Sequence, residues 1–453
     1  MQAMITARLS LMMFLQFFIW GAWYVTVGNY MNTHGMFDWV GWAYTVAPIA
    51  AIISPFFLGM IADRFFASER VLGVLHLLGG AIMLGTPAAA RMGPEIFVGA
   101  LFLHTLCYMP TLGLTNTLAF HNITNQEKQF PIIRVFGTIG WIAANWVVSK
   151  VFQADFSATQ FYVTGAAALA LGVVSFFLPH TPPPAAGKKI TAGEIVGVDA
   201  LALLKQPSFA VFILCSFLIC IPLAAYYAYA PVYAGKVGFA NPAFNMSFGQ
   251  VSEIFFMLAM PLFFARLGVK WMLLVGMLAW VVRYGLFAAA DDNNVQWMVL
   301  GGILLHGICY DFFFVTGFIY TDKKCSKEIR GQAQGFLVLV TQGLGLGIGA
   351  QVMKWIVARY TPAEALELQA RSTELTREAF AMTDQSAAQP LFDQANQLGA
   401  QASQLMNWQM IWLIPCIAAA AVMVLFFLAF WDRVDTTTDE AEVAKGRLAE
   451  DSP

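Results

Sequence analysis

Long apolar runs dominate the sequence and leave few ways to fold it. Runs of about 20 or more apolar residues recur along the chain, and about 20 such residues make one helical crossing of a bilayer. They fall near 8–31, 39–62, 71–90, 95–120, 131–153, 159–179, 208–234, 247–265, 270–290, 294–320, 331–358 and 406–431, twelve in all. In hydrocarbon every backbone N–H and C=O needs an internal partner, so continuous apolar runs of this length must be helices. Only 11% of the 453 residues are charged, against about 25% in an ordinary soluble domain. A large soluble enzyme and a disordered chain are thereby excluded. The net charge of −2 offers no basic footprint for nucleic acid. The expected fold is all-α, a polytopic membrane protein of twelve transmembrane helices in two six-helix bundles.

Lysine and arginine placement orients the spans. Sixteen, from Arg8 and Arg64 to Arg433 and Arg447, fall in one set of alternating loops and at both termini, against seven in the opposite set. Both termini are therefore expected on the cytoplasmic side. Residues 180–207 hold Pro182-Pro183-Pro184 and Lys188-Lys189 and read as a cytoplasmic linker between an N-terminal bundle, 1–179, and a C-terminal bundle, 208–433. Residues 360–405 are polar, rich in Ala, Gln and Glu, and lie on the opposite side; they read as a surface insertion, with a helical hairpin over the outer mouth as the alternative. Residues 434–453 read as a polar cytoplasmic tail. The six cysteines are scattered without C-x-x-C spacing, so neither a disulfide framework nor a zinc site is indicated, and no cofactor is called for.

The two halves echo each other. Span 2 ends Pro55-Phe56-Phe57-Leu58-Gly59 and runs on to Asp63-Arg64, while span 8 ends Pro261-Leu262-Phe263-Phe264-Ala265-Arg266. Internal repeats of this kind mark secondary transporters, with the site near the midplane between the repeats. The Gly-x-x-x-Asp-Arg stretch ending in Asp63 and Arg64 resembles the loop 2–3 motif of the major facilitator superfamily, a conformational motif. Gly343, Gly345, Gly347 and Gly349 in span 11 form pairs four apart, which suit close helix packing. Pro222 and Pro231 predict kinks in span 7.

Ionisable groups inside spans are the informative residues, because each costs about 2.5–3.5 kcal/mol or more at a helix centre. Arg134, Glu253, Arg283 and Asp311 stand out. Arg134, Thr138, Trp141 and Asn145 share one face of span 5. A guanidinium there offers a donor fork to substrate oxygens or to a carboxylate. Gln250 and Glu253 share a face of span 8; an amide and a carboxylate can read sugar hydroxyls or a base edge, or Glu253 can pair with Arg134. Asp311 lies within Tyr310-Asp311-Phe312-Phe313-Phe314. Burial among aromatics disfavours the charged form of a carboxyl, and a group poised to gain and lose a proton can couple solute movement to a proton gradient. Arg283 reads as a structural partner, with Asp311 a candidate mate. His104 and His306 read as core residues. Trp20, Trp23, Tyr24, Tyr226 and Tyr227 are candidates for stacking on a planar or sugar ligand. Among the described motifs for enzymes, P-loop, H-E-x-x-H and G-x-S-x-G are all missing from the sequence.

Several stretches resemble the nucleoside:proton symporter family of the major facilitator superfamily. They are Phe14-Leu15-Gln16-Phe17-Phe18-Ile19-Trp20-Gly21, Tyr108-Met109-Pro110-Thr111, Phe130 to Gly140 around Arg134, Gln250-Val251-Ser252-Glu253, Trp280-Val281-Val282-Arg283 and Tyr310-Asp311-Phe312-Phe313. The resemblance covers nearly all the spans. It implies inward transport of a nucleoside with a proton across a bacterial inner membrane, by a chain that works as a monomer. It implies a substrate cavity lined by Arg134, Thr138, Trp141, Gln250, Glu253 and Tyr310; Tyr227 of span 7 joins the candidate set as a stacking aromatic and not through the resemblance. It assigns proton coupling to Asp311; Glu253, an ionisable group inside span 8, is a second candidate on its own chemistry. The chain departs from the pattern in span 7, where Leu223-Ala224-Ala225-Tyr226-Tyr227 stands in place of a glutamine and an asparagine, and at Trp141, in place of phenylalanine. Another polar solute, such as a sugar or glycoside, is the alternative substrate.

Overall fold

The computed structural model describes residues 2–57, 65–124, 126–183, 198–325, 329–382 and 385–432. The loop motif residues Asp63 and Arg64 lie outside the described residues. The described chain is helical, with no strand among the described residues. Helices α1 (Gln2–Tyr24) and α2 (Val27–Thr33) make span 1, α3 (Val40–Phe57) span 2, α4 (Ser68–Met92) span 3, α5 (Pro94–Asn122) span 4, α6 (Gln126–Trp146) span 5 and α7 (Thr159–Ser175) span 6. In the second half α8 (Pro207–Lys236) is span 7 and α9 (Pro242–Ala290) holds spans 8 and 9. Span 10 is built from α10 (Gln296–Leu304), α11 (His306–Tyr310) and α12 (Thr316–Lys324), and span 11 from α13 (Arg330–Val338) and α14 (Leu346–Arg359). Two further helices, α15 (Ala363–Ala381) and α16 (Gln385–Leu405), precede α17 (Trp408–Ala429), which is span 12. Among the described residues ten helices are long and apolar enough to cross a membrane, α7 is a shorter apolar one, and the first leg of α9 supplies the remaining crossing.

Spans 8 and 9 are separated by a single residue. Gly268 has φ 65° and ψ 178°, a conformation that a side chain would strain, so the chain reverses without a loop. Span 7 runs through both of its prolines as one helix. Proline at 222 removes an N–H, and the Pro222 carbonyl accepts a hydrogen bond from Tyr284 Oη at 2.8 Å. The glycine row of span 11 faces two helices at once. Gly345 and Gly349 meet α8 at Cys220 and Ile221, whereas Gly343 and Gly347 meet α3 at Ile52 and Pro48. Packing is therefore what the row does, and it joins the two bundles. Gly137 and Gly140 likewise admit α1, at Phe17 and Phe14.

Direct contacts between the bundles collect at the end carrying Thr33, Trp146, Lys236 and Arg359, here termed the cap end. Trp146 Nε1 donates to Ser247 Oγ at 2.9 Å, and Gln351 Nε2 donates to Thr45 Oγ1 at 2.8 Å. Asp155, between spans 5 and 6, accepts the Ala243 N–H at 2.8 Å with Oδ1 and the Ser149 hydroxyl at 2.6 Å with Oδ2. A carboxylate of one bundle thus caps the first turn of α9 in the other, where the helix dipole favours negative charge. Lys150 lies over the Phe244 ring at 4.5 Å.

Residues 363–381 and 385–405 form a helical hairpin at this same end. Ser372 Oγ donates to the Ala395 carbonyl at 2.8 Å and ties its two helices together. Gly35, at φ +64°, sits directly against Thr373, where a Cβ would collide. His34 stacks on Tyr30 at 4.0 Å and faces Phe380 and Phe392 at 6.4 and 6.1 Å.

Two outcomes test this packing. Gly140→Leu drives a side chain into the Phe14 carbonyl and should cost about 1–3 kcal/mol, read as a lower melting temperature in detergent. Gly99→Ala, inside a helix with open space around it, should hold or raise that temperature. His34 lies just beyond span 1, and burial pushes its imidazole down to about 4 from about 6.5 when exposed. The hairpin contact therefore favours neutral His34: it is fully present above about pH 6.5 and weakens as the pH falls toward 4. Amide exchange in 363–405, corrected for intrinsic rate, should rise over that window in the wild type and not in His34→Phe.

Candidate functional site

The site assembles on helices from both bundles. From the N-terminal bundle, α6 presents Arg134, Thr138 and Trp141 one turn apart, and α1 presents Phe17, Trp20 and Tyr24. From the C-terminal bundle, α8 contributes Tyr226 and Tyr227, the first leg of α9 contributes Gln250 and Glu253, and span 10 contributes His306, Tyr310 and Asp311. Arg134, Thr138, Trp141, Tyr227, Gln250, Glu253 and Tyr310 all keep partial exposure although each lies within a span. Their partial exposure, on helices of both bundles, sets these polar and aromatic side chains apart from the fully buried core.

Aromatic rings line the two walls and meet across the seam. The Arg134 guanidinium lies 4.2 Å over the Phe17 ring. Trp20 packs edge-on to Trp141 at 5.5 Å, Tyr24 follows at 6.4 Å from Trp141, and Tyr24 touches Tyr227 of the other bundle at 6.0 Å. On the far wall Tyr226 stacks on His306 at 5.4 Å, and His306 lies 5.8 Å from Tyr310. The indole N–H groups of Trp20 and Trp141 have no hydrogen-bond partner, so two donors are left unused at this wall.

The charged groups converge without cancelling one another. Arg134 lies within electrostatic range of Glu253, and Glu253 within range of Asp311. Tyr310 lies in the field of all three. Ion-pair distance at Glu253 is taken by His306, whose Nε2 is 3.9 Å from Oε2, and not by Arg134. The direct Arg134–Glu253 ion pair considered from sequence is therefore absent. Gln250 sits one turn before Glu253 on α9 and points to the same face.

Asp311 and Arg283 also differ from the simplest expectation. Asp311 is fully buried, and both of its carboxylate oxygens lack a hydrogen-bond partner. It begins a π-helical turn, Asp311–Val315, a local irregularity often found at functional sites. Arg283 does not pair with it. Its Nε donates to the Gly302 carbonyl at 3.0 Å, its Nη2 faces His306 Nδ1 at 3.4 Å, and the guanidinium lies 4.1 Å over Tyr226. The sequence treats His306 as core, yet the structure puts its ring between Arg283 and Glu253. No short motif announces this, because the three residues come from three different spans. A separate groove of about 550 Å³ lies between α3 and α14; its lining, including Ile49, Ile52, Ile348 and Trp355, holds none of these charged groups.

Known proteins agree with this layout. The family model described as "Nucleoside H+ symporter" matches residues 3–382. The chain is 43% identical over 374 residues to the "Putative nucleoside transporter YegT" of Escherichia coli (strain K12), covering 80% of this chain and 87% of that protein. It is 32% identical over 371 residues to the nucleoside permease NupG of the same organism, covering 78% of this chain and 88% of that protein. A crystal structure of the nucleoside transporter NupG superposes with a TM-score of 0.78 at 27% identity, over 95% of this chain and all of that one. These relatives are described as transporters, not enzymes, and the fold shared with NupG is the major facilitator fold. The chain belongs to the nucleoside:proton symporter family.

Proposed function

We propose that this chain imports nucleosides with protons by alternating access across a bacterial inner membrane, with its cap end outside and both termini in the cytoplasm. The observation that carries the site assignment is the unpaired set of charges at the seam. Arg134 and Glu253 face each other's field without a direct contact. A ribose suits this pair chemically: its hydroxyls donate to the Glu253 carboxylate and accept from the Arg134 fork. Thr138 adds a hydroxyl, Gln250 offers both amide functions to a base edge, and Trp141, Tyr227 and Tyr310 supply ring faces for the base. Span 7 brings no amide to the ligand, since its stretch 223–227 is Leu223-Ala224-Ala225-Tyr226-Tyr227. Recognition of the base thus falls on Gln250 and the aromatic rings.

Asp311 carries the coupling proton in this reading. A buried acid with no partner is tolerable when protonated and costly when ionised. Asp311 and Glu253 repel when both are charged. Protonating Asp311 at the outer side removes that repulsion, and Glu253 then engages substrate as a carboxylate. Release of both to the inside resets the carrier. Proton and substrate favour each other's binding through this shared term, as linkage requires. Residues 180–207 serve as the linker between the bundles, 434–453 as a cytoplasmic tail, and the carrier acts as a monomer.

Uptake into proteoliposomes under an imposed pH gradient, with a panel of nucleosides and sugars, tests the substrate class. Nucleosides should accumulate and compete with one another; accumulation of sugars alone overturns the reading. Asp311→Asn should abolish proton-driven accumulation while sparing counterflow exchange, and should hold or raise the melting temperature because the amide removes a buried ionisable group. A mutant that still concentrates substrate refutes the coupling role. Arg134→Ala and Glu253→Ala should each weaken binding by about tenfold or more, the value of a charged hydrogen bond, measured by calorimetry on purified protein.

A further inference from the structure

The hairpin α15–α16 is rooted in one bundle and reaches onto the other. Covalently it joins spans 11 and 12 of the C-terminal bundle, between Arg359 and Trp408. Its base is held there: Gln404 Nε2 donates to the Lys236 carbonyl at 2.9 Å, and the Asn407 N–H donates to the Tyr360 carbonyl at 3.1 Å. Its far side rests on the corner between spans 1 and 2 of the N-terminal bundle. There Thr373 Oγ1 lies 2.9 Å from the Gly35 carbonyl, and Gly399 packs on the Asn32 carbonyl. Phe380 and Phe392, themselves 5.1 Å apart, close over the His34 ring. His34 is in turn stacked on Tyr30 and held by a 2.9 Å hydrogen bond from Nδ1 to the Tyr30 carbonyl.

We infer that this hairpin is a strap across the two bundles, which must let go of the Asn32–Gly35 corner before the cap end can open. Alternating access moves one bundle against the other about a site between them. An element fixed to one bundle cannot keep its seat on the other through that motion. The strap contacts therefore exist only in the state closed at the cap end, together with the Trp146–Ser247 and Asp155–Ala243 bonds at the same end. A contact made in one of two states biases the equilibrium toward that state. The strap holds the carrier closed there and slows its opening, and substrate recognition does not depend on it, since none of its described residues contacts the charged cluster. The inference rests on the carrier reading for its transport test, and on the fold alone for its labelling test.

A reversible cross-link tests the need for release. His34→Cys with Phe380→Cys, joined by a reductant-cleavable bis-maleimide, should bring nucleoside uptake to background, and reductant should restore it. Phe380→Cys with Phe392→Cys, part-exposed and on the two hairpin helices only, should retain uptake under the same treatment. Full uptake by the protein linked between 34 and 380 overturns the strap. The second arm needs no substrate. In purified protein Ser247→Cys, buried at the closed seam, should react with a maleimide several-fold faster when Phe380→Ala and Phe392→Ala are added. An equal rate overturns the strap. If the unlinked protein takes up neither nucleosides nor sugars, the proposed function fails, and the labelling comparison still decides the strap.

Discussion

Desolvation of charge is the constraint on which the rest depends. A guanidinium or carboxylate inside a membrane span is tolerated only where it faces protein or water. Arg134, Glu253, Arg283 and Asp311 obey this by pointing to the interior, and they do so from four different spans of both bundles. That convergence makes the seam between the bundles polar in a molecule that is otherwise apolar. It also leaves the charges incompletely matched. Arg134 rests on Phe17, Arg283 on Tyr226, and Asp311 on no hydrogen-bonding partner. A fully paired cluster would lock the bundles together. An underpaired one keeps a demand for hydrogen bonds that a polar solute and a proton can meet in turn.

Backbone approach is the second requirement, because helices in lipid gain little from apolar burial against one another. Small residues meet it here. The glycines of span 11 bring α14 against α8 on one side and α3 on the other, so a single row serves both the interior of one bundle and the contact with its neighbour. The cap end adds specific bonds to this packing, notably Asp155 capping a helix that belongs to the opposite bundle. Closure at that end is therefore built from a few discrete polar contacts over glycine-lined seams, an arrangement that can be made and unmade without repacking either bundle.

Much of this was legible before any coordinates. Span positions follow from apolar run length, and the facing of Arg134, Thr138 and Trp141 follows from helical period. The short turn after Ala265 was visible as a charge-bearing break, although Gly268 alone performs the reversal. What escaped was of two kinds. His306 looked like a core residue because nothing near it in sequence is charged except Asp311; its neighbours Arg283 and Glu253 arrive from spans 9 and 8. The polar stretch 360–405 has helix-forming composition, yet composition does not say what a hairpin will rest upon. Its seat depends on Gly35, whose positive φ opens the space for Thr373.

By itself the sequence determined that the chain crosses a membrane many times, that it has two halves, and which ionisable side chains must turn inward. Those properties are set by transfer free energies and by helical periodicity, which act on each segment separately. Only the tertiary structure decided which inward charges become neighbours, which stay unpaired, and which bundle end is fastened. These depend on how helices distant in the chain are brought together, and a local pattern carries no record of that.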